Sequence, residues 1–188
     1  TGVIPINVKE LGIDFMSMDS HKWLLGPEGI GYFYASSSAI NKIENVFEGW
    51  LSVEDWTNFL NYEQPRKTTA SKFEEGSPNF LGIFGLLGSS ELILEVGVEN
   101  IYNHIQELLD YFSDLLINKG YLITSPRENE DEKSCILCFN HKDKDIEKIY
   151  KVLSDNNILI ALREGQIRIS PHLYNTKEEL RKVAELLP

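Results

Sequence analysis

Ser17-Met18-Asp19-Ser20-His21-Lys22-Trp23-Leu24-Leu25-Gly26-Pro27-Glu28-Gly29-Ile30-Gly31-Tyr32-Phe33-Tyr34 is the segment around which the chain is organised. It reads as an apolar strand, 13–18, then a polar turn, a glycine-rich bend and a second strand, 31–35. The pair predicts a hairpin with Ser20, His21 and Lys22 at its tip. A lysine amine does chemistry when it can lose its proton, which needs partial burial or a neighbouring positive charge. Trp23, Leu24 and Leu25 offer apolar cover beside it. Gly26, Gly29 and Gly31 let the backbone turn back and approach a neighbour closely. On composition alone Lys22 is one of 18 Lys and Arg, and a solvated surface charge is the simpler reading.

The wording of the segment goes further. Ser20-His-Lys-Trp-Leu-Leu-Gly-Pro-x-Gly-x-Gly31 resembles the cofactor-lysine segment of the class V aminotransferase family of pyridoxal-phosphate enzymes. Cysteine desulfurases, selenocysteine lyases, kynureninases and isopenicillin N epimerase-like proteins belong to it. The resemblance implies that Lys22 forms the Schiff base with pyridoxal 5'-phosphate, and that Ser20 and His21 lie near the phosphate.

Working outward, 188 residues with 42% hydrophobic and 25% charged side chains are ordinary for a globular chain with a core of its own. The charge of −11, from 29 acids against 18 bases, argues against a nucleic-acid surface and against docking on anionic membranes. No apolar run approaches the roughly 20 residues that span a bilayer, and no signal peptide is visible. The sequence opens on Thr1 and reads as a piece of a longer protein. Cys135 and Cys138 sit in a strand-like segment. Residues three apart on a strand are about 10 Å apart, beyond the roughly 7 Å Cα reach of a disulfide. No second Cys or His pair completes a metal set, so reduced, buried cysteines and a cytoplasmic setting are expected.

Upstream of the hairpin, Pro5–Gly12 reads as a short helical turn closed by glycine. Downstream, 36–45 reads as a short helix capped by Ser37 or Ser38. The segment 46–69 has poor periodicity, with Trp50, Trp56, Phe59 and Tyr62 among polar residues. Such a loop either lines a substrate pocket or packs under a partner subunit.

Lys72-Phe-Glu-Glu-Gly-Ser-Pro-Asn79 resembles the family's Arg-Phe-Glu-x-Gly-Thr-Pro-Asn, with Lys72 for arginine and Ser77 for threonine. The resemblance implies that Ser77 binds the cofactor phosphate, in a homodimer where this segment reaches the neighbouring subunit's site. Read locally, Ser77-Pro78 is an N-cap and first helical residue. Both readings are compatible, because helix N-termini are anion sites. A helix over 80–95 follows, with Leu81, Phe84, Leu87 and Leu94 at near-helical spacing. Gly97 breaks it. A longer amphipathic helix over 98–118 ends at Gly120.

The remainder reads as strands at 121–124 and 135–140, a helix at 145–155, strands at 158–162 and 166–170 around Glu164-Gly165, and a last helix opened by a Thr176-Lys-Glu-Glu179 capping box. In Gln166-Ile-Arg-Ile-Ser-Pro-His-Leu-Tyr-Asn-Thr176, alternation points Arg168 away from the face of Ile167 and Ile169. A guanidinium fork suits a carboxylate in bidentate geometry. A structural salt bridge is the alternative. The segment resembles the family's Arg-x-Ser-x-x-x-Tyr-Asn-Thr, whose arginine holds the substrate's α-carboxylate; His172 and Asn175 read as braces of the turn.

The expectation is thus an α/β chain, the C-terminal part of a fold-type I transferase. Residues 1–97 would belong to the large cofactor domain, and 98–188 to a connecting helix and small α+β domain. The resemblance places the acid that pairs with the pyridine nitrogen upstream of Thr1. An amino-acid substrate is implied, with transamination, elimination or epimerisation open. Asn157–Arg168 holds no cysteine, which argues against a desulfurase. The rival is a non-catalytic module that keeps the fold without the cofactor.

Overall fold

The computed structural model describes residues 1–188, which divide into two compact units, Thr1–Glu95 and Val96–Pro188. In the first, β1 (Phe15–Asp19) and β2 (Gly31–Ala35) pair antiparallel, from Phe15 opposite Ala35 to Asp19 opposite Gly31. The expected hairpin is present, and its first strand runs on into Asp19. At the end of the register only glycine fits position 31, where a Cβ would lie 2.2 Å from the Met18 carbonyl oxygen. The turn before β1 closes by Leu11 N–H donating to Asn7 O, with Gly12 left-handed at φ +63°.

The helix expected over 36–45 shrinks to one 3₁₀ turn, Ile40–Lys42, with no side-chain cap. The cause lies far away in the chain. Lys72 Nζ donates to Ile40 O (2.7 Å) and Ile43 O (2.8 Å), and so takes carbonyls that a continuing helix would use. Residues 46–69 form no helix or strand, only a bridge of Val53 with Arg66. A 3₁₀ turn at Ala70–Phe73 leads to α1 (Phe80–Val96).

Ser77 does not cap α1. Asn79 does, its Oδ1 accepting the Gly82 N–H at 2.9 Å. The helix starts at Phe80, so Asn79 rather than Ser77 is the residue within reach of its orphan donors. The apolar positions singled out from spacing are also not its buried ones. Leu86 and Ile93 are buried, while Leu81, Phe84, Leu87 and Leu94 are exposed.

The second unit is built on α2 (Val98–Asn118), set between Gly97 (φ +88°) and Gly120 (φ +81°). Its stripe of Ile101, Ile105, Leu108, Leu109, Phe112 and Leu116 is almost wholly buried. Against it stands a four-stranded antiparallel sheet in the order β3-β4-β6-β5. The strands are β3 (Leu122–Ile123), β4 (Leu137–Asn140), β5 (Ala161–Arg163) and β6 (Gln166–Ile169). Phe139 stacks edge-on with Phe112 (5.9 Å) and Tyr121 (5.6 Å), and Leu137 and Ile167 complete the core. Each such side chain contributes about 1.5–3 kcal/mol by leaving water.

Two more helices cover this unit. Asp145 caps α3 (Ile146–Asp155) through the Glu147 and Lys148 N–H groups. Thr176 and Glu179 form the expected capping box of α4 (Lys177–Leu186). The strand expected at 158–162 begins only at Ala161. Ile158 N–H is spent on Leu153 O, closing α3, and Leu159 is fully exposed. No single helix is long and apolar enough to cross a membrane.

Candidate functional site

The hairpin tip is a tight backbone knot. Ser20 N–H donates to Ile30 O and Gly26 N–H to Ser20 O at 2.9 Å, while Leu25 N–H donates to Lys22 O. Leu25 takes a left-handed φ of +55° and Gly29 one of +76°. Gly26 lies so close under Ser20 and Ser89 that a Cβ would meet their Oγ atoms at 2.1 and 3.0 Å. Ser20 is completely buried, and its Oγ has no hydrogen-bond partner. An unpaired buried hydroxyl costs about 1–3 kcal/mol, so this one is either a tolerated defect or a group kept for a ligand.

Lys22 stands differently from the expectation. Its side chain is 63% exposed, and Nζ is hydrogen-bonded and ion-paired with the Asp19 carboxylate three residues earlier. Leu24, not Lys22, receives the apolar cover. The hydrogen bond from Lys22, with the charges of Lys22 and His21, holds the Asp19 carboxyl below its ordinary value. Lys22 lines a cavity of about 340 Å³ with Met16, Met18, Asp19 and Trp23. His21 is exposed beside it. Asp19 is the ionic neighbour of Lys22 that sequence reasoning passed over; its i, i+3 spacing to Lys22 was the available signal.

In the segment 72–79, Lys72 is buried and bonded to the Ile40 and Ile43 carbonyls, with Nζ 5.0 Å from the Phe73 ring centre. It is a structural cation here. Ser77 is exposed, two residues before the capping Asn79.

In the second unit, Arg168 projects from β6 on the side opposite the buried Ile167 and Ile169. No carboxylate of the chain lies within ion-pair distance of its guanidinium, so the salt-bridge alternative has no partner. It borders an open cavity of about 680 Å³ with Ser170, Tyr174 and Asn175. The following turn is braced as expected. Asn175 Oδ1 accepts the His172 N–H (2.8 Å), Asn175 N–H donates to His172 O, and the His172 ring stacks on Tyr174. His104 Nε2 adds a contact to Asn175 O at 3.0 Å. Neither Cys135 nor Cys138 is in a disulfide, and burial pushes the Cys135 thiol up.

Residues 1–183 match the sequence model of a family described as Aminotransferase class-V. The chain belongs to that family. The "Uncharacterized aminotransferase YcbU" of Bacillus subtilis is 25% identical over 96% of this chain and 46% of its own length. A "Probable cysteine desulfurase" of Halalkalibacterium halodurans is 30% identical, again over 96% of this chain and 46% of its own. The apo cysteine desulfurase of Thermococcus onnurineus NA1 superposes with a TM-score of 0.87 at 24% identity, over 98% of this chain and 48% of that one. The fold is therefore that of class V pyridoxal-phosphate enzymes, and the chain spans about half the length of the relatives it matches. Residues present at the hairpin tip fit that cofactor. Lys22 offers an exposed primary amine of the kind that condenses with an aldehyde, and an unsatisfied serine hydroxyl and an exposed imidazole precede it.

Proposed function

We propose that this chain carries the attachment lysine and the carboxylate-binding arginine of a pyridoxal-phosphate enzyme acting on an amino acid. The observation that carries the reading is Lys22, an amine in an open cavity two residues after the unpaired Ser20 hydroxyl. Pyridoxal phosphate, when bound, supplies an electron sink for a bond broken at the substrate Cα. The rest falls to side chains of this chain. Lys22 Nζ would hold the cofactor and would carry the proton to or from the substrate Cα. Asp19 holds that amine while no carbonyl engages it. Ser20, His21 and Ser77 offer O–H and N–H donors to the phosphate. Arg168 offers its paired N–H donors to the α-carboxylate, which orients the substrate.

The reaction we assign is transamination, elimination or epimerisation, and not desulfuration. Asn157–Arg168 holds no cysteine, and the β5–β6 connection is the two-residue turn Glu164-Gly165, with φ of +46° and +75°. A turn this short presents no nucleophile on a mobile arm. We also propose a homodimer in which the Ser77 segment serves the neighbouring site. The uncovered Phe80, Leu81 and Phe84 just after it support this.

One observation favours the rival, a module that keeps the fold without the chemistry: the Lys22 amine is exposed and held by a carboxylate, the reverse of an activated lysine. Reduction with borohydride after adding pyridoxal phosphate to the longest natural form of the protein separates the two. The catalytic reading expects a pyridoxyl label on the Lys22 peptide, absent in Lys22→Ala. A well-folded protein of that length with no label at Lys22 removes the catalytic reading. Alanine formed from cysteine by the unreduced, cofactor-loaded protein would overturn the exclusion of desulfuration.

A further inference from the structure

The irregular segment 46–69 is more ordered than its sequence pattern indicates. Glu54 N–H donates to Pro65 O (3.0 Å) and Lys67 N–H to Ser52 O (2.9 Å), closing the neck of the loop. Inside it, Gln64 works as a hub. Its Oε1 accepts the Asp55 N–H, and its Nε2 donates to Asn58 O and Asn61 O. The base is pinned to the Ser77 segment, because a Cβ on Gly49 would lie 1.7 Å from Glu75 O and Ser52 Oγ donates to Glu74 O.

A loop built this way fixes the backbone from which its aromatic side chains project. Trp50 lies 5.6 Å from Trp56 at 52° between planes, and 6.1 Å from Phe59 at 58°. A cluster formed to bury apolar surface would hide these rings. Here Trp56 stays 45% and Phe59 63% exposed. With Tyr62 and Glu48 they wall a cavity of about 240 Å³. The remaining polar lining is amide, from Asn58, Asn61 and Gln64, and no Lys, Arg or His lines the cavity.

Tilted aromatic rings, amides and a carboxylate, with no cation among the lining residues, suit one ligand chemistry. The ring quadrupole attracts a positive charge, and an alkylated ammonium adds apolar bulk for the rings to cover. The Glu48 carboxylate is shared with Arg66 through an ion pair, so the rings carry the selectivity. We propose that Trp50, Trp56, Phe59 and Tyr62 form a binding site for a small quaternary ammonium compound. The proposal stands apart from the cofactor reading and needs no cofactor for its test.

Choline chloride titrated into the full-length protein at constant ionic strength, followed by tryptophan fluorescence, tests it. The neutral isostere 3,3-dimethyl-1-butanol runs in parallel. The expected result is a saturable change with choline binding about tenfold or more tighter than the alcohol. Trp56→Leu should remove that preference. Should Trp56→Leu fail to fold, Tyr62→Leu replaces it, since Tyr62 is 90% exposed. Equal binding of choline and the alcohol shows an apolar slot and overturns the proposal. So does the lack of any saturable response to choline, or a preference for choline that survives in a folded variant.

Discussion

Gly26 and Ser20 occupy one another's space: a single methyl group on Gly26 would fall 2.1 Å from the Ser20 oxygen. That oxygen is itself buried without a partner. Position 26 is thus held to glycine by packing rather than by backbone angle.

Gly26→Ala should therefore destabilise the protein by about 1–3 kcal/mol, as overpacking does in a closed site. Ser20→Ala removes a buried hydroxyl that bonds to nothing, and should leave the cofactor-free protein unchanged or about 1 kcal/mol more stable. In the double variant the new methyl keeps only the looser 3.0 Å approach to Ser89 Oγ, so part of the Gly26→Ala loss should return. Urea unfolding of the three variants checks this. Equal loss with and without Ser20 Oγ would show that the clash lies elsewhere.

Lys72→Met keeps the length of the side chain and removes its donors. The Ile40 and Ile43 carbonyls then lose their partner, with an expected cost of about 2–4 kcal/mol. A drop in the urea midpoint with an unchanged slope is the result to look for. A loss within experimental error would mean that water replaces the ammonium freely.

The start of α1 separates two residues that look equally suited to cap it. Asn79→Ala should cost about 1 kcal/mol, and Ser77→Ala should leave stability unchanged. Thermal unfolding of both variants decides the matter. The reverse order would return the cap to Ser77.

The acid limb of stability should carry a signature of the α4 capping box. The Thr176 N–H donates to Glu179 Oε2 at 2.7 Å and holds the Glu179 carboxyl below its ordinary value. A folded value below the unfolded one stabilises above the unfolded value, and the gain fades as pH falls through the folded value. Glu179→Gln keeps an acceptor that does not titrate. The stability gap between wild type and Glu179→Gln, measured by urea at several pH values between about 6 and 3, should narrow toward acid. A gap independent of pH would assign the box no ionic part.

What could be read from the sequence was local. The apolar stripe and flanking glycines of α2 give its bounds, Val98 to Asn118, because each signal lies inside or beside the helix. The same holds for the Thr176 box and for the alternation that turns Arg168 away from Ile167 and Ile169. What could not be read depended on distant partners. Only the folded chain shows that Lys72 draws off the carbonyls of Ile40 and Ile43, or that Leu153 claims the Ile158 N–H before a strand can form. At the hairpin tip, the motif led to Lys22 through the resemblance. The Asp19 pair and the sealed Ser20 oxygen emerged from geometry alone.

The Glu164-Gly165 turn makes hairpin length a stricter constraint than hairpin composition. With β5 and β6 in register from Arg163 opposite Gln166, the facing of Arg168 is settled by counting residues from the turn. A substitution along these strands changes one contact. An insertion or deletion of one residue changes parity, and would send the guanidinium into the place of Ile169 or Ile167 respectively while bringing an isoleucine out into the cavity. Sequence drift here is free to alter letters, but not the number of them.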